Sequence, residues 1–134
     1  MSRALILLSL LLFGAAPAGA QDGLSAAEFD DLTLGKTFYY ASDGRPYGAE
    51  EYLPDRKVRW SFLDGQCMDG EWWEENGQIC FVYEDYPDDP HCWSFREAGN
   101  GLAARFENDP TGRELYEVRQ SDEPMMCLGP KVGA

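Results

Sequence analysis

Residues 70–93, GEWWEENGQICFVYEDYPDDPHCW, contain the strongest fold signal in the chain. The Asn76-Gly77 pair at its centre is typical of a two-residue type I′ turn, because both residues tolerate a positive φ. Such a turn pairs Trp72 with Phe81 across two antiparallel strands. The tryptophans of this stretch are therefore predicted to be core and disulfide cover rather than a cage for a cofactor.

Apolar and polar residues also alternate in the segments on either side of this hairpin. Alternation with a period of two and one apolar face is typical of half-buried strands. Turn-forming clusters recur about every 10–12 residues, the spacing of short strands joined by hairpins. The apolar face predicted to point inward consists of Val58, Trp60, Phe62, Trp72, Ile79, Phe81, Tyr83, Trp93, Phe95, Leu102, Ala104, Phe106, Tyr116 and Val118.

With two further strands at residues 36–40 and 49–53, the pattern predicts about eight short strands. The predicted fold class is all-β, a small antiparallel up-and-down barrel or meander with a short N-terminal helix. A two-sheet sandwich is the alternative, but it needs long crossover connections and the loops here are short.

The helix is predicted over residues 25–32. Ser25 and Glu28 have the spacing of a capping box, and Leu24 and Phe29 have the spacing of a hydrophobic staple. Gly35 ends the segment, and the helix is expected to close one end of the sheet.

The first 20 residues are typical of a signal peptide, with Arg3, a short apolar run and a small-residue cleavage pattern that ends at Ala20. The apolar run is too short for a membrane span, which needs about 20 apolar residues. We expect a signal peptide at residues 1–20 and one domain at residues 21–134, periplasmic or secreted after cleavage near Ala20.

The chain is strongly acidic, with a formal net charge of -13. Loss of Arg3 with the signal peptide makes this -14, because residues 1–20 contain no acid. Such a surface repels nucleic acid and anionic lipid, so neither is an expected partner. It favours a basic extracytoplasmic protein, although acids also simply keep an exported protein soluble.

The four cysteines are typical of disulfides in a small exported protein, and three pairings are open. Cys80 and Cys92 fall on consecutive strands with the same facing, beside Trp73, so we favour a bond between them. Cys67 and Cys127 would then fasten the C-terminal tail across the outside. A zinc site is disfavoured, because no two cysteines are within four residues of each other.

Metal and enzyme chemistry have weak signals. Glu84, Asp85, Asp88 and Asp89 are a weak calcium candidate, since prolines stand where a calcium loop of the EF-hand kind has its glycine. The single histidine, His91, has no recognisable nucleophile beside it and is predicted to be a surface residue. We therefore expect no catalytic residues, no resident metal and no cofactor.

The segments YGAEEYLPDRKVRWSF, GEWWEENGQICFVYE and CWSF resemble a family of small exported proteins of Gram-negative bacteria that has no assigned function. The resemblance covers most of residues 21–134 and implies no catalytic residues. The overall layout is also similar to lipocalin-like barrels and to periplasmic lysozyme inhibitors, which are small disulfide-bearing β-barrels. This second likeness concerns architecture alone, and architecture does not imply function.

Three functions from different classes follow from these observations. We expect a non-enzymatic interaction or inhibitor module, with a carrier of a small apolar ligand as the alternative and a hydrolase of unfamiliar type as the third. Carriers need a pocket of about 300 Å³ or more. The many aromatic residues predicted inside leave little space, which favours the interaction module.

Overall fold

The alternating segments form eight strands that pair antiparallel in chain order around a closed barrel. The last strand pairs with the first, so the sheet closes on itself. The computed structural model describes Gly14 and residues 23–128. The strands are β1 (Thr37–Ser42), β2 (Arg45–Tyr52), β3 (Lys57–Ser61), β4 (Met68–Glu75), β5 (Gln78–Tyr83), β6 (Tyr86–Ala98), β7 (Gly101–Phe106) and β8 (Glu114–Ser121). The predicted barrel is confirmed, and the sandwich alternative is wrong.

The predicted signal peptide, with its cleavage near Ala20, lies outside residues 23–128, as do residues 129–134 of the predicted domain. Within the described residues, no helix is long and apolar enough to cross a membrane.

The α-helix found in residues 23–128, α1 (Ala26–Thr33), begins at the capping box that the sequence predicts. Ser25 Oγ accepts a 3.2 Å hydrogen bond from the Glu28 backbone N–H, and Glu28 Oε1 accepts one of 3.2 Å from the Ser25 backbone N–H. These two bonds satisfy donors that a helix start otherwise leaves unpaired. The helix ends at Leu34, and Gly35 follows with a φ of 78° that suits a residue without Cβ.

The helix closes one end of the barrel through Phe29, which is fully buried. The Phe29 ring packs against Tyr52, Trp72 and Phe95, with ring centroids 4.6 to 5.4 Å apart. The β2–β3, β4–β5 and β6–β7 connections lie at this helix end. The other four hairpin connections lie at the opposite end, which we call the open end.

The β4–β5 hairpin has the register predicted from Asn76-Gly77. Trp72 pairs with Phe81, and both are buried with 3% and 4% of their surfaces exposed. Ile79 on the same face is fully buried. This face, joined by Val58 and Phe95, forms the core that α1 covers.

The sequence predicts that Phe62 points inward, but this prediction is wrong, because Phe62 is 54% exposed. The reason is that β3 ends at Ser61 and the chain turns away at Leu63, which has a φ of 66°. Phe62 therefore stands on the rim of the barrel instead of inside it.

The facing predicted for β8 is wrong as well. Leu115 pairs with the buried Ala104 and points inward, whereas Tyr116 and Val118 are exposed. The Tyr116 hydroxyl instead accepts a 2.6 Å hydrogen bond from the Gly44 backbone N–H outside the barrel.

The disulfides join Cys80 to Cys92 and Cys67 to Cys127, which is the favoured pairing. Cys80 and Cys92 are directly opposite each other on β5 and β6, and Trp73 lies opposite Cys80 on β4. Two disulfides indicate an oxidising, extracytoplasmic compartment.

The C-terminal tail runs back along the outside of the barrel after β8. The Met125 backbone N–H donates a 2.9 Å hydrogen bond to Oε2 of Glu51, an outward-facing acid on β2. The Leu128 backbone N–H donates a 2.7 Å hydrogen bond to the Gly65 carbonyl at the open end. The tail is thus fastened to β2 through Glu51, and to the 62–67 connection through the Leu128 hydrogen bond and the Cys67–Cys127 bond.

Candidate functional site

An aromatic pocket of about 100 Å³ opens at the open end of the barrel. Its wall includes the side chains of Trp60, Phe81, Tyr83 and Trp93, with Phe62 at the mouth. Phe81 and Tyr83 are stacked, with their ring planes 4° apart. The volume is well below the roughly 300 Å³ at which pockets for drug-sized ligands begin.

Two glycines on inward positions make room for the aromatic wall. A Cβ at Gly48 would overlap the ring of Trp60, and a Cβ at Gly70 would overlap the ring of Tyr83. Both positions need a residue without a side chain, because the aromatic rings lie directly against the backbone.

Glu50 is the buried acid of this pocket. It belongs to β2, points inward opposite Trp60 and is 2% exposed. Its Oε1 accepts a 2.8 Å hydrogen bond from the Tyr83 hydroxyl, while its Oε2 has no hydrogen-bond partner. Burial raises the pKa of the Glu50 carboxyl well above its usual range, and the Tyr83 hydrogen bond offsets only part of that effect.

Two further tyrosines lie at the pocket floor. The hydroxyls of Tyr40 and Tyr52 share a 2.9 Å hydrogen bond. Burial raises the pKa of both phenols above the ordinary tyrosine value, and it does the same for Tyr83 together with the nearby Glu50 carboxyl. The floor around Glu50 therefore consists of neutral hydroxyl groups at ordinary pH.

The rim of the pocket exposes apolar side chains. Phe62, Leu63 and Tyr86 are 54%, 46% and 56% exposed. Leu63 also has a left-handed backbone with φ 66°, which is costly for a side chain with Cβ. Strain of this kind is retained where the surrounding structure holds it. Here the Leu63 backbone N–H donates a 3.0 Å hydrogen bond to Ser61 Oγ.

The inter-strand connections at the open end are strongly acidic. These connections, residues 43–44, 62–67, 84–85 and 107–113, contain six acids and one base, Arg113. The helix-end connections, residues 53–56, 76–77 and 99–100, contain one acid and one base, although α1 at that end adds Glu28, Asp30 and Asp31. The six open-end acids are Asp43, Asp64, Glu84, Asp85, Glu107 and Asp109.

The calcium candidate residues are divided between two features of the β5–β6 hairpin. Glu84 and Asp85 form its two-residue turn, whereas Asp88 and Asp89 lie in a bulge of β6, where residues 87–90 face Val82 alone. Within residues 23–128, no three of these acids bring carboxylate oxygens within 4.8 Å of one another.

One group of potential metal ligands does converge in that range. It consists of Glu75, Cys80 and Cys92. The two sulfurs are bonded to each other, so they are not thiolate ligands.

His91 stands on the pocket wall, half-exposed, rather than simply at the surface. Its ring lies edge-on to Phe106 with centroids 5.5 Å apart, and its Nε2 is 3.2 Å from a carboxylate oxygen of Asp89. Tyr83, Trp93 and Phe106, all predicted inward, are half-buried around the same wall.

Sequence reasoning missed Glu50, although a signal was present. Tyr52 is apolar enough to be assigned inward, and alternation by two then places Glu50 on the same face. The adjacent Glu51 hides this signal, because two consecutive acids resemble a solvated segment.

The function of this pocket has to be inferred from its own residues. Comparison with known proteins finds no family model, no curated protein and no solved structure that matches the chain.

Proposed function

We propose that this protein is a non-enzymatic interaction module that captures a basic extracytoplasmic protein at the open end of the barrel, in the manner of an inhibitor. The observation that carries the proposal is that acidic connections and exposed apolar side chains occur together at the open end. Six acids and one base occupy the open-end connections, beside the exposed side chains of Phe62 and Tyr86. Opposite charge on a partner speeds encounter and fixes its orientation.

The exposed apolar rim also favours the open end of the barrel as the protein-binding surface. Large exposed apolar side chains surrounded by polar residues are typical of protein-binding surfaces. Phe62 and Tyr86 both line the pocket, Leu63 follows Phe62 in the chain, and all three side chains are exposed. Such a surface provides the apolar contact that most of an interface's energy comes from.

The non-enzymatic part of the proposal is supported by the state of the four cysteines and by the surroundings of His91. All four cysteines of the chain are bonded in pairs, so none is a thiolate nucleophile. His91 pairs with Asp89 and lies against Phe106, an arrangement with a base and an orienting acid but without a nucleophile in contact.

A carrier of a small apolar ligand is the second candidate, and the aromatic lining of the pocket is the observation that favours it. Its volume of about 100 Å³ argues against a ligand of the size that lipocalin-like carriers hold. The buried Glu50 argues against it too, because an apolar ligand would leave Oε2 unpaired.

The test uses three immobilised forms of the disulfide-bonded protein and an extracytoplasmic extract. The forms are the wild type, an open-end variant (Phe62→Ser, Leu63→Ser, Asp64→Asn) and a matched helix-end variant (Leu34→Ser, Asp55→Asn). Leu34 is exposed to a similar degree as Leu63, at 48% against 46%. Bound proteins and small molecules are identified by mass spectrometry, and the captured protein is then purified for affinity measurements.

We expect a basic protein that binds the wild type and the helix-end variant alike and binds the open-end variant about tenfold or more weakly. Its affinity should fall as salt concentration rises. Equal capture by both variants, or capture of an acidic protein, would contradict the proposal. An apolar metabolite recovered at one per chain would favour the carrier.

A further inference from the structure

Within residues 23–128, Oε2 of Glu50 is the one buried side-chain oxygen or nitrogen that lacks a hydrogen-bond partner. This atom belongs to a carboxyl group that lines the aromatic pocket. A buried polar atom without a partner is costly, and native proteins rarely keep one without a use. In the carboxylate form Oε2 lacks a donor, and in the protonated form it lacks an acceptor.

We propose that the aromatic pocket is a binding site for a small primary ammonium group, which donates its N–H to Oε2 of Glu50 while its alkyl chain lies against the aromatic wall. The proposal deepens the function proposed above and rests on it for the choice of the open end. The ammonium group can come from a free amine or from a lysine side chain of the partner protein.

The size of the pocket suits such a group. Its volume of about 100 Å³ is about a third of the roughly 300 Å³ at which pockets for drug-sized ligands begin. An ammonium group with a short alkyl chain fits this space, whereas a lipid or a fused-ring metabolite does not. The ligand class is therefore limited to a few heavy atoms beyond the mouth.

The wall suits a cation. Aromatic faces attract ammonium and guanidinium groups, most strongly when these are desolvated. Trp60, Phe81 and Trp93 line the pocket. The Arg113 guanidinium lies 5.1 Å from the ring centroid of Tyr47, so one of the lining rings already contacts a cation outside the pocket.

The charge pattern also selects a cation over a neutral donor. The residues that line the pocket, all of them in the described part of the chain, include no lysine or arginine. An alcohol or amide would donate to Oε2 but leave an ionised Glu50 uncompensated, and a buried ion needs an opposite charge. The acids of the open end raise the local concentration of cations at the mouth.

An ordered water is the competing explanation for the unpaired oxygen. The pocket has room for water, and the hydroxyls of Tyr40 and Tyr52 could complete its hydrogen bonds. A water and an ammonium group differ in charge, so a charged probe and its neutral counterpart separate the two explanations.

The experiment titrates the disulfide-bonded protein with n-butylammonium, with tetramethylammonium and with 1-butanol. Tryptophan fluorescence and indole N–H chemical shifts report binding, because Trp60 and Trp93 line the pocket. We expect butylammonium to bind about tenfold or more tightly than 1-butanol, since a hydrogen bond to a charged group is stronger than a neutral one. Tetramethylammonium, which has charge but no N–H, should bind more weakly than butylammonium.

Two glutamates provide a matched pair of variants. Glu50→Gln keeps the shape of the side chain and should weaken butylammonium binding about tenfold or more. Glu51→Gln is the control, since Glu51 is the next residue, is equally an acid, is 7% exposed and points outward to the Met125 backbone. Tyr83→Phe is a second test of the site, because it removes the other hydrogen bond of Glu50 and keeps the ring. Thermal unfolding of each variant verifies that it is folded.

A capped lysine amide distinguishes the two sources of the ammonium group. Binding as tight as that of butylammonium indicates a partner's lysine, and exclusion of the capped lysine indicates a free amine. Butylammonium binding that is no tighter than that of 1-butanol, or that persists in Glu50→Gln, overturns the proposal in favour of an ordered water. If the ammonium site fails while the open end still captures a basic protein, the interaction module stands without this inference.

Discussion

The Tyr83 hydroxyl donates a 2.8 Å hydrogen bond to Oε1 of Glu50 and so joins β5 to β2 across the interior of the barrel. The other oxygen of the same carboxyl group has no partner. A carboxyl group held at one oxygen and unpaired at the other destabilises the fold, as groups kept for binding often do.

Glu50→Gln should stabilise the protein at neutral pH. Because the pKa of Glu50 is raised in the folded state, the native protein holds its proton at pH values where the unfolded chain has released it, so wild-type stability falls as pH rises above about 4.3. Glutamine removes this effect and should increase the free energy of unfolding by about 1–3 kcal/mol at pH 7.

Thermal or urea unfolding from pH 4 to pH 8 tests the direction of this pH dependence of the free energy of unfolding. The advantage of Glu50→Gln should shrink towards pH 4, where the glutamate of the unfolded chain also becomes protonated. Glu51→Gln, whose carboxylate accepts the Met125 backbone hydrogen bond, should not show the same gain. A destabilised Glu50→Gln at pH 7 would mean that the carboxyl group has a partner in solution.

Butylammonium affinity should rise with pH, by up to tenfold per pH unit below the pKa of the free Glu50 carboxyl. The ligand binds the ionised form, so binding releases the proton that burial keeps on Glu50. Calorimetry in buffers of different ionisation enthalpy measures that proton directly.

The other titratable groups near Glu50 limit how this pH profile is interpreted. Tyr40, Tyr52 and Tyr83 stay protonated, because burial raises the pKa of each. His91 on β6 and Glu117 on β8 also face this region, as do the phenols of Tyr47 and Tyr86. The pH profile should persist in His91→Gln and Glu117→Gln, and a profile that disappears in either variant assigns the proton elsewhere.

Loss of the Cys67–Cys127 bond should destabilise the protein more than loss of Cys80–Cys92. The two bonds span 60 and 12 residues. Restriction of the unfolded chain then contributes about 4 and about 3 kcal/mol, respectively. Paired cysteine-to-serine variants compared by thermal unfolding give the order, and peptide mapping of the unreduced protein verifies the pairing. The Cys67→Ser, Cys127→Ser variant should also lose capture of the basic protein, because it frees the 62–67 connection.

Leu63→Asn should make the fold more stable and the interaction weaker. Asparagine tolerates the left-handed backbone that leucine adopts here with φ 66°, so the change should add about 0.5–1.5 kcal/mol to the free energy of unfolding. It also removes an apolar side chain from the rim. Urea unfolding and the capture assay measure the two effects, and a variant that is destabilised or that binds unchanged would remove Leu63 from the proposed surface.

The sequence predicts the barrel well where local geometry determines the outcome. The Asn76-Gly77 turn places Trp72 opposite Phe81, and the Ser25 and Glu28 side chains cap the helix as expected. The sequence-based prediction fails where pairing with a neighbouring strand determines which side chains point inward. Pairing with Ala104 turns Leu115 inward and leaves Tyr116 outside, and composition alone favours the opposite facing.

The pocket was harder to predict than the fold. Nothing local to Phe62 shows that β3 stops one residue earlier and leaves this ring on the rim. Glu50 follows from alternation with Tyr52, but its role depends on Tyr83, which is 33 residues away in the chain. Contacts of this kind depend on barrel closure, which no short window of sequence contains.

Because Phe29 closes the helix end of the barrel, the aromatic pocket is entered from the open end. A small amine that enters this pocket has to leave by the way it came. A protein bound to the rim would then block this exit, so the amine would dissociate only after that protein had dissociated. The fold therefore imposes an order of binding, in which the amine binds before the protein and dissociates after it.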